Sequence, residues 1–270
     1  MTIAAPFLAR TERFASVGST NDVVRAWLAE GTPEVCLALA DIQTAGRGRE
    51  GRTWLTAPGA ALLLSAGFRP VWLAPHRTWR LPAIVGLAMA GAAEAVAGLP
   101  EGTVRQKWPN DLVLEMDGGW RKVAGVLGES VGLGTAGPRV VVGIGTNVNW
   151  RRVDFPAAIA ETMTSILEAG GGQAVDPDEL LGDFLARLEA LTSDLRADRF
   201  DAAGWRDRQV TTGRMVALHG ADGREEHVRA IDVDTETGAL VVVGDGDRRP
   251  RAVFSGEIRR LRLRPAWPGV

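Results

Sequence analysis

Residues 46–54 read GRGREGRTW, and the first six satisfy G-x-G-x-x-G, the glycine spacing of dinucleotide-binding folds. The fold of the chain turns on what those glycines do. A dinucleotide site needs them between a strand and a helix, because the pyrophosphate rests on the helix N-terminus, and it needs an acid about 20 residues further on for the ribose. VCLALA at 35–40 supplies an upstream strand. No helix follows, since RTWLTAPGAALLLS carries a proline and glycine-flanked breaks where one should begin, and GFRPVW at 67–72 holds no acid. Arg47, Arg49 and Glu50 also stand where a pyrophosphate would favour small side chains. The stretch is therefore read as a loop bearing Arg47, Arg49 and Arg52 and ending at Trp54. Glycine permits left-handed backbone, and guanidinium forks grip carboxylate and phosphate oxygens, so such a loop can act as an anion clamp. A solvated basic turn is the alternative.

The pattern around the loop predicts an α+β fold. Ser19 and Thr20 precede NDVVRAWLAEG, a helix with a side-chain N-cap and Gly31 as its stop. ALLLSAGF (61–68) reads as a strand, followed by an Ala-rich helix over 81–99. TVRQKW (103–108), DLVLEM (111–116) and WRKVAGVLGES are extended runs, the last two joined by a DGG turn. RVVVGIGTNVN (139–149), the richest in β-branched residues, reads as a central strand. Two helices are expected next, PAAIAETMTSILEAG and a longer one capped by Asp176 with Pro177 at its first position. From about 210 the texture becomes short strands separated by ADGR, DTETG and GDGD turns, as in a small β-barrel, which suggests domains of 1–210 and 211–270.

Bulk properties narrow the function classes. With 270 residues, 46% hydrophobic, and a formal charge of −2, the chain can bury a substantial core and is not built throughout for nucleic acid. Cys36 is the only cysteine, which excludes an intrachain disulfide and suits a reducing, cytoplasmic setting. His76, His219 and His227 are scattered, so a protein-held zinc is not expected. MTIAAPFLARTERF lacks the features of a signal peptide. The run at 81–99 is rich in Ala and Gly and carries Glu94, which predicts a buried helix rather than a membrane span.

Five motifs occur in order: GSTND (18–22), QTAGRGREGRTW (43–54), KWPNDLVL (107–114), RKVAGVLGE (121–129) and GIGTNVN (143–149). Together they resemble the biotin protein ligases, which activate biotin with ATP to biotinyl-5′-AMP and transfer it to a lysine of a carboxylase's biotin carboxyl carrier domain. The resemblance implies a mixed sheet backed by helices, of the class II synthetase-like biotin/lipoate ligase type, with a small SH3-like C-terminal barrel. It implies that Lys122 is catalytic, contacting the biotin carboxylate and the phosphate, with Arg47 and Asp111 beside it. A lysine next to a hairpin is otherwise an ordinary surface residue. Biotin is expected to meet Ser19, Thr20, Asn21, Gln43, Gly46, Arg47, Lys122, Gly125, Gly143 and Gly145, with Gly143 and Gly145 leaving room for a ring against the strand. ATP is expected at Arg47, Arg49, Arg52, Trp54, Lys107, Asn110 and Asn147, with Trp54 covering the adenine and Asn147 pairing with it. Asp111 either holds Mg²⁺ with ATP or orients Lys122, and both readings stay open.

GSTND lies at residue 18, which leads to the expectation of no N-terminal helix-turn-helix and no operator binding. The basic run RRPRAVFSGEIRRLRLR alternates arginine with apolar residues, as on the solvated face of a strand. A lipoate ligase is the nearest enzymatic alternative, and a barrel-containing binding module, with or without nucleic acid as its ligand, is the non-enzymatic one.

Overall fold

The structure, a computed structural model, describes residues 5–220, 224–244, 249–254 and 256–261. Its larger sheet has seven strands: β1 (Arg10–Phe14), β2 (Cys36–Ala40), β3 (Ala61–Phe68), β4 (Arg105–Lys107), β5 (Asp111–Met116), β6 (Gly119–Val131) and β7 (Arg139–Asn147). They lie in the order β1-β2-β3-β7-β6-β5-β4. Only β1 and β2 run parallel; the remaining pairs are antiparallel, so the sheet is mixed and β7 is its central strand. The turn between β5 and β6 takes positive φ at Asp117 and Gly118, the conformation a tight two-residue hairpin requires.

The two faces of this sheet carry side chains of different size. On one face Leu37 and Leu39, Leu62 and Leu64, Val140, Val142 and Ile144 point into the main core. That core is closed by helices α2 (Arg80–Val96) and α4 (Pro177–Arg196), which pack on each other. On the other face the same strands present Cys36, Ala38, Ser65, Gly67, Gly143 and Gly145, as the period of two demands. Helix α1 (Thr20–Ala29) fills half of the resulting hollow, with Val24, Trp27 and Leu28 against Cys36 and Ala38. The fit is tight: an added Cβ at Gly67 would stand 2.6 Å from Cys36 Sγ and from Val24. The other half of the hollow is the site described below.

A second, five-stranded antiparallel sheet comprises β8 (Arg214–His219), β9 (Glu225–Val233), β10 (Leu240–Gly244), β11 (Arg251–Val253) and β12 (Glu257–Leu261), in the order β11-β10-β9-β8-β12. The two sheets share an apolar cluster in which Ala83 and Trp108 join Trp205 and the inner residues of the small sheet. Trp79 Nε1 donates to Glu236 O and Trp108 Nε1 to Gly238 O, each at 3.0 Å.

Three expectations change. The stretch 156–170 is not one helix: only α3 (Ile166–Ala169) is helical, and residues 159–164 form a strap of turns whose end, around Met163, bridges to Lys122 of β6. Ser19 precedes α1 without a side-chain cap, and the Thr20 hydroxyl is directed to Gln43 and Ser65 instead. Strand β1 and helix α5 (Ala202–Asp207) carried no clear periodic signal. Asp176 does cap α4, accepting from Asp178 N. Helix α2, apolar enough in composition to cross a membrane, is buried along most of its length. Of the basic C-terminal run, Arg248, Arg262 and Arg264 entirely, and the side chains of Arg259 and Arg260, lie outside the described residues.

Candidate active site

Over the glycines of β6 and β7 lies a cavity of about 660 Å³. Ser19, Thr20, Asn21, Gln43, Arg47, Arg49, Arg52, Trp54, Lys107, Asn110, Asp111, Lys122, Gly125, Gly143 and Gly145 all line it. Gly46 and Asn147 do not. Residues from five separate motifs thus converge where the small-residue face of the sheet is left uncovered by α1.

Lys122 reaches this cavity because of an irregularity in β6. Asp111 pairs with Gly125 and Leu112 with Ala124, but Val113 pairs with Lys122, so Val123 is an extra residue. Val123 and Ala124 both point into the core. A β-bulge of this kind inverts the alternation beyond it, and it places Lys122 on the same face as Gly125 and Asp111. Lys122 Nζ then lies 2.6 Å from Asp111 Oδ1, while Lys107 Nζ approaches Asp111 Oδ2 at 3.7 Å. The backbone of Lys122, past the end of the β6–β7 pairing, is held by the strap: its N–H donates to Thr162 O at 2.8 Å, and Thr164 N donates to its carbonyl at 2.9 Å. Asn147 is 1% exposed, and its Nδ2 donates to Thr164 O at 2.9 Å. In this conformation it braces the strap and lies behind the cavity wall.

The floor is a hydrogen-bonded chain. Gln43 Oε1 accepts from Thr20 N at 2.8 Å and from Thr20 Oγ1 at 3.1 Å. Thr20 Oγ1 lies 2.7 Å from Ser65 Oγ, which donates to Asn21 Oδ1 at 2.6 Å. Gly143 and Gly145 line the cavity, and side chains of this chain lie close against both. An ideal Cβ at Gly143 would stand 2.2 Å from Asn21 Oδ1, and one at Gly145 would stand 2.5 Å from the Trp54 ring. Trp54 also lies close to Gly125 and within 5.1 Å of Lys122 Nζ, a cation–π distance. Its Nε1 is buried and has no partner.

The loop 46–54 closes the cavity. Trp54 N donates to Gly46 O at 2.9 Å, which ties its ends together. Arg47 Nη1 and Nη2 donate to the two oxygens of Asp22, both at 2.7 Å. This fork, with Arg25 on the same carboxylate, lowers the Asp22 carboxyl to about 2 and raises Arg47 above its ordinary value. Arg49 Nη1 donates at 3.1 Å to Gly256 O, so the small sheet holds the loop from its far side. Sequence reasoning missed Trp120, Met163 and Ile258 in the cavity lining, and Ser65 in the hydrogen-bonded chain beneath it. Ser65 sits in an apolar-looking strand and the others outside every motif, so only the tertiary fold brings them in. No group of three His, Cys, Asp or Glu suited to a metal occurs among the described residues.

A mixed sheet with a small antiparallel sheet beside it, and a cavity joining a lysine–carboxylate pair to an arginine loop, suits an enzyme that brings anionic groups together, and the comparisons with known proteins give its class as a ligase. The chain belongs to the biotin/lipoate A/B protein ligase family, whose model matches residues 14–147. More particularly, it is 33% identical over 251 residues to the biotin--[acetyl-CoA-carboxylase] ligase of Mycobacterium tuberculosis, covering 92% of this chain and 88% of that one. The enzyme of the same name from Paracoccus denitrificans is 32% identical over 82% of this chain and 90% of its own length. The solved biotin protein ligase from Aquifex aeolicus in complex with biotin and ATP superposes with a TM-score of 0.74 at 26% identity, covering 94% of this chain and 98% of that one.

Proposed function

We propose that this chain is a biotin protein ligase. A biotin carboxylate oxygen attacks the α-phosphorus of ATP, the bond to the β-phosphate oxygen breaks, and pyrophosphate leaves. The neutral amine of a lysine on a carboxyl carrier domain then attacks the acyl carbon, AMP departs with the bonding pair, and the amine proton is lost to solvent. The observation that carries this reading is the Lys122–Asp111 pair at 2.6 Å, aimed by the bulge into a cavity roofed by arginines. Two like anions must meet in the first step, and fixed cations stabilise the charge that develops there more than mobile water can. Lys122 and Arg47 supply it at the carboxylate and α-phosphate, and Arg49, Arg52 and Lys107 serve the leaving phosphates. Ser19, Thr20 and Gln43 offer the donors and acceptors that a ureido ring needs, and Trp54 shields the mixed anhydride from water.

Asp111 has two parts to play in sequence. As drawn it orients Lys122; its single carboxylate also suits Mg²⁺ carried in with ATP, since that ion keeps several waters and takes only one or two protein carboxylates. Residues 1–210 are assigned to catalysis and 211–270 to an SH3-like barrel, a division supported by the second sheet's start at Arg214. A carboxylase carrier and a cytoplasmic location complete the reading. Exchange of labelled pyrophosphate into ATP is the test: it should depend on biotin and not on lipoate. Lipoate-dependent exchange would reassign the substrate, and no exchange with either would refute the reading.

A further inference from the structure

The cation that roofs the cavity is held from outside it. Asp22 does not line the cavity, yet both of its oxygens take the end of the Arg47 guanidinium, at 2.7 Å each. A guanidinium gripped end-on through one N–H of each Nη still presents its Nε–Nη edge, which can accept a second oxyanion side-on. Asp22 is itself anchored. Arg25 Nη1 donates to it, and Arg25 Nη2 donates at 2.7 Å to Glu129 Oε2. Glu129 Oε2 also accepts from Asn21 Nδ2 at 2.6 Å, and Asn21 is the side chain that covers Gly143 on the floor. The chain Arg47–Asp22–Arg25–Glu129–Asn21 therefore runs from roof to floor around the rim.

We infer that Asp22 and Glu129 are positioning residues that set the roof arginine and the floor asparagine in one register before an anionic ligand arrives. This rests on the biotin reading of the site. A long arginine on a glycine-rich loop loses considerable freedom when it binds, and a side chain ordered in advance does not incur that loss again. The loss amounts to about 0.5–1.5 kcal/mol per immobilised side chain, or roughly a two- to twelvefold change in affinity. It falls on the first encounter with the carboxylate, so it belongs to binding rather than to turnover.

The test is calorimetric titration of the full chain with biotin alone. Asp22→Asn should weaken biotin three- to tenfold, and Asp22→Glu should restore most of the loss. In an Arg47→Ala background the effect of Asp22→Asn should shrink markedly, because only the longer route through Arg25 and Glu129 to Asn21 is left. Glu129→Gln should weaken biotin even in that background, since Asn21 is released as well. Unchanged affinity in Asp22→Asn, or an undiminished effect of that substitution without Arg47, overturns the inference while leaving the function intact. A wild-type chain that binds no biotin overturns both.

Discussion

At the scale of the residue, charge placement decides what the site can do. Lys122→Ala removes the cation paired with Asp111 at 2.6 Å and leaves that carboxylate with Lys107 across a longer gap of 3.7 Å. Biotin-dependent pyrophosphate exchange should fall by about 10² to 10³, the loss typical of one preorganised donor, with the melting temperature little changed. Cys36 gives a second expectation. It is fully buried between β2 and α1, and burial pushes its thiol up to about 11, so at pH 8 almost none is thiolate. A thiol reagent such as DTNB should be inert toward the native chain at pH 8 and titrate its single cysteine once denaturant is added. Rapid labelling of the native chain would contradict the packing described. The arginines were legible as a basic glycine loop, and Lys122 only through the resemblance of the five motifs to the biotin protein ligases. Asp22 was quoted inside GSTND but given no task, since its partner stands 25 residues away and the pairing exists only once α1 and the loop are brought together.

At the scale of the element, the alternation of strands was readable and its interruption was not. The ranges of β3 and β5 match their sequence patterns, and Asp176–Pro177 marks the start of α4. The bulge at Val123 leaves no trace in the sequence, since RKVAGVLGE reads equally well as a regular strand. It is nonetheless what turns Lys122 outward from the core. Exchanging the two residues, Lys122→Val with Val123→Lys, should put the ammonium at the core-facing position and abolish exchange at least as fully as Lys122→Ala does. Retained exchange in the folded swap variant would show that the bulge is incidental. The strap at 159–164 was misread as helix for a related reason. PAAIAETM has helical composition, but the backbone of Lys122 needs partners beyond the end of β7, and Thr162 and Thr164 supply them. Tertiary hydrogen bonding outweighs propensity there.

At the scale of the whole molecule, the two sheets act as one body around the cavity. Arg49 reaches Gly256 and Ile258 lines the cavity, while Trp108, within KWPND, is bonded to Gly238. Gly238 has φ of +72°, and an added Cβ would stand 2.5 Å from the Trp79 ring. Gly238→Ala should therefore destabilise the chain by about 1–3 kcal/mol, measured by urea unfolding, through overpacking at the junction together with left-handed backbone. An unchanged midpoint would place the junction elsewhere. Composition announced the small sheet as a change of texture, yet nothing in the sequence said that it would face the loop. The claim on which all this depends is that biotin is activated inside the cavity and kept there. Incubating the chain with biotin and ATP, without a carrier, then separating protein from small molecules and analysing what it retains by mass spectrometry, tests that claim directly. Biotinyl-5′-AMP should be recovered from the wild-type chain in near-equal amount to protein and be absent from Lys122→Ala; an active wild-type preparation that retains none, or that carries an adenylate of a different acid, would contradict it.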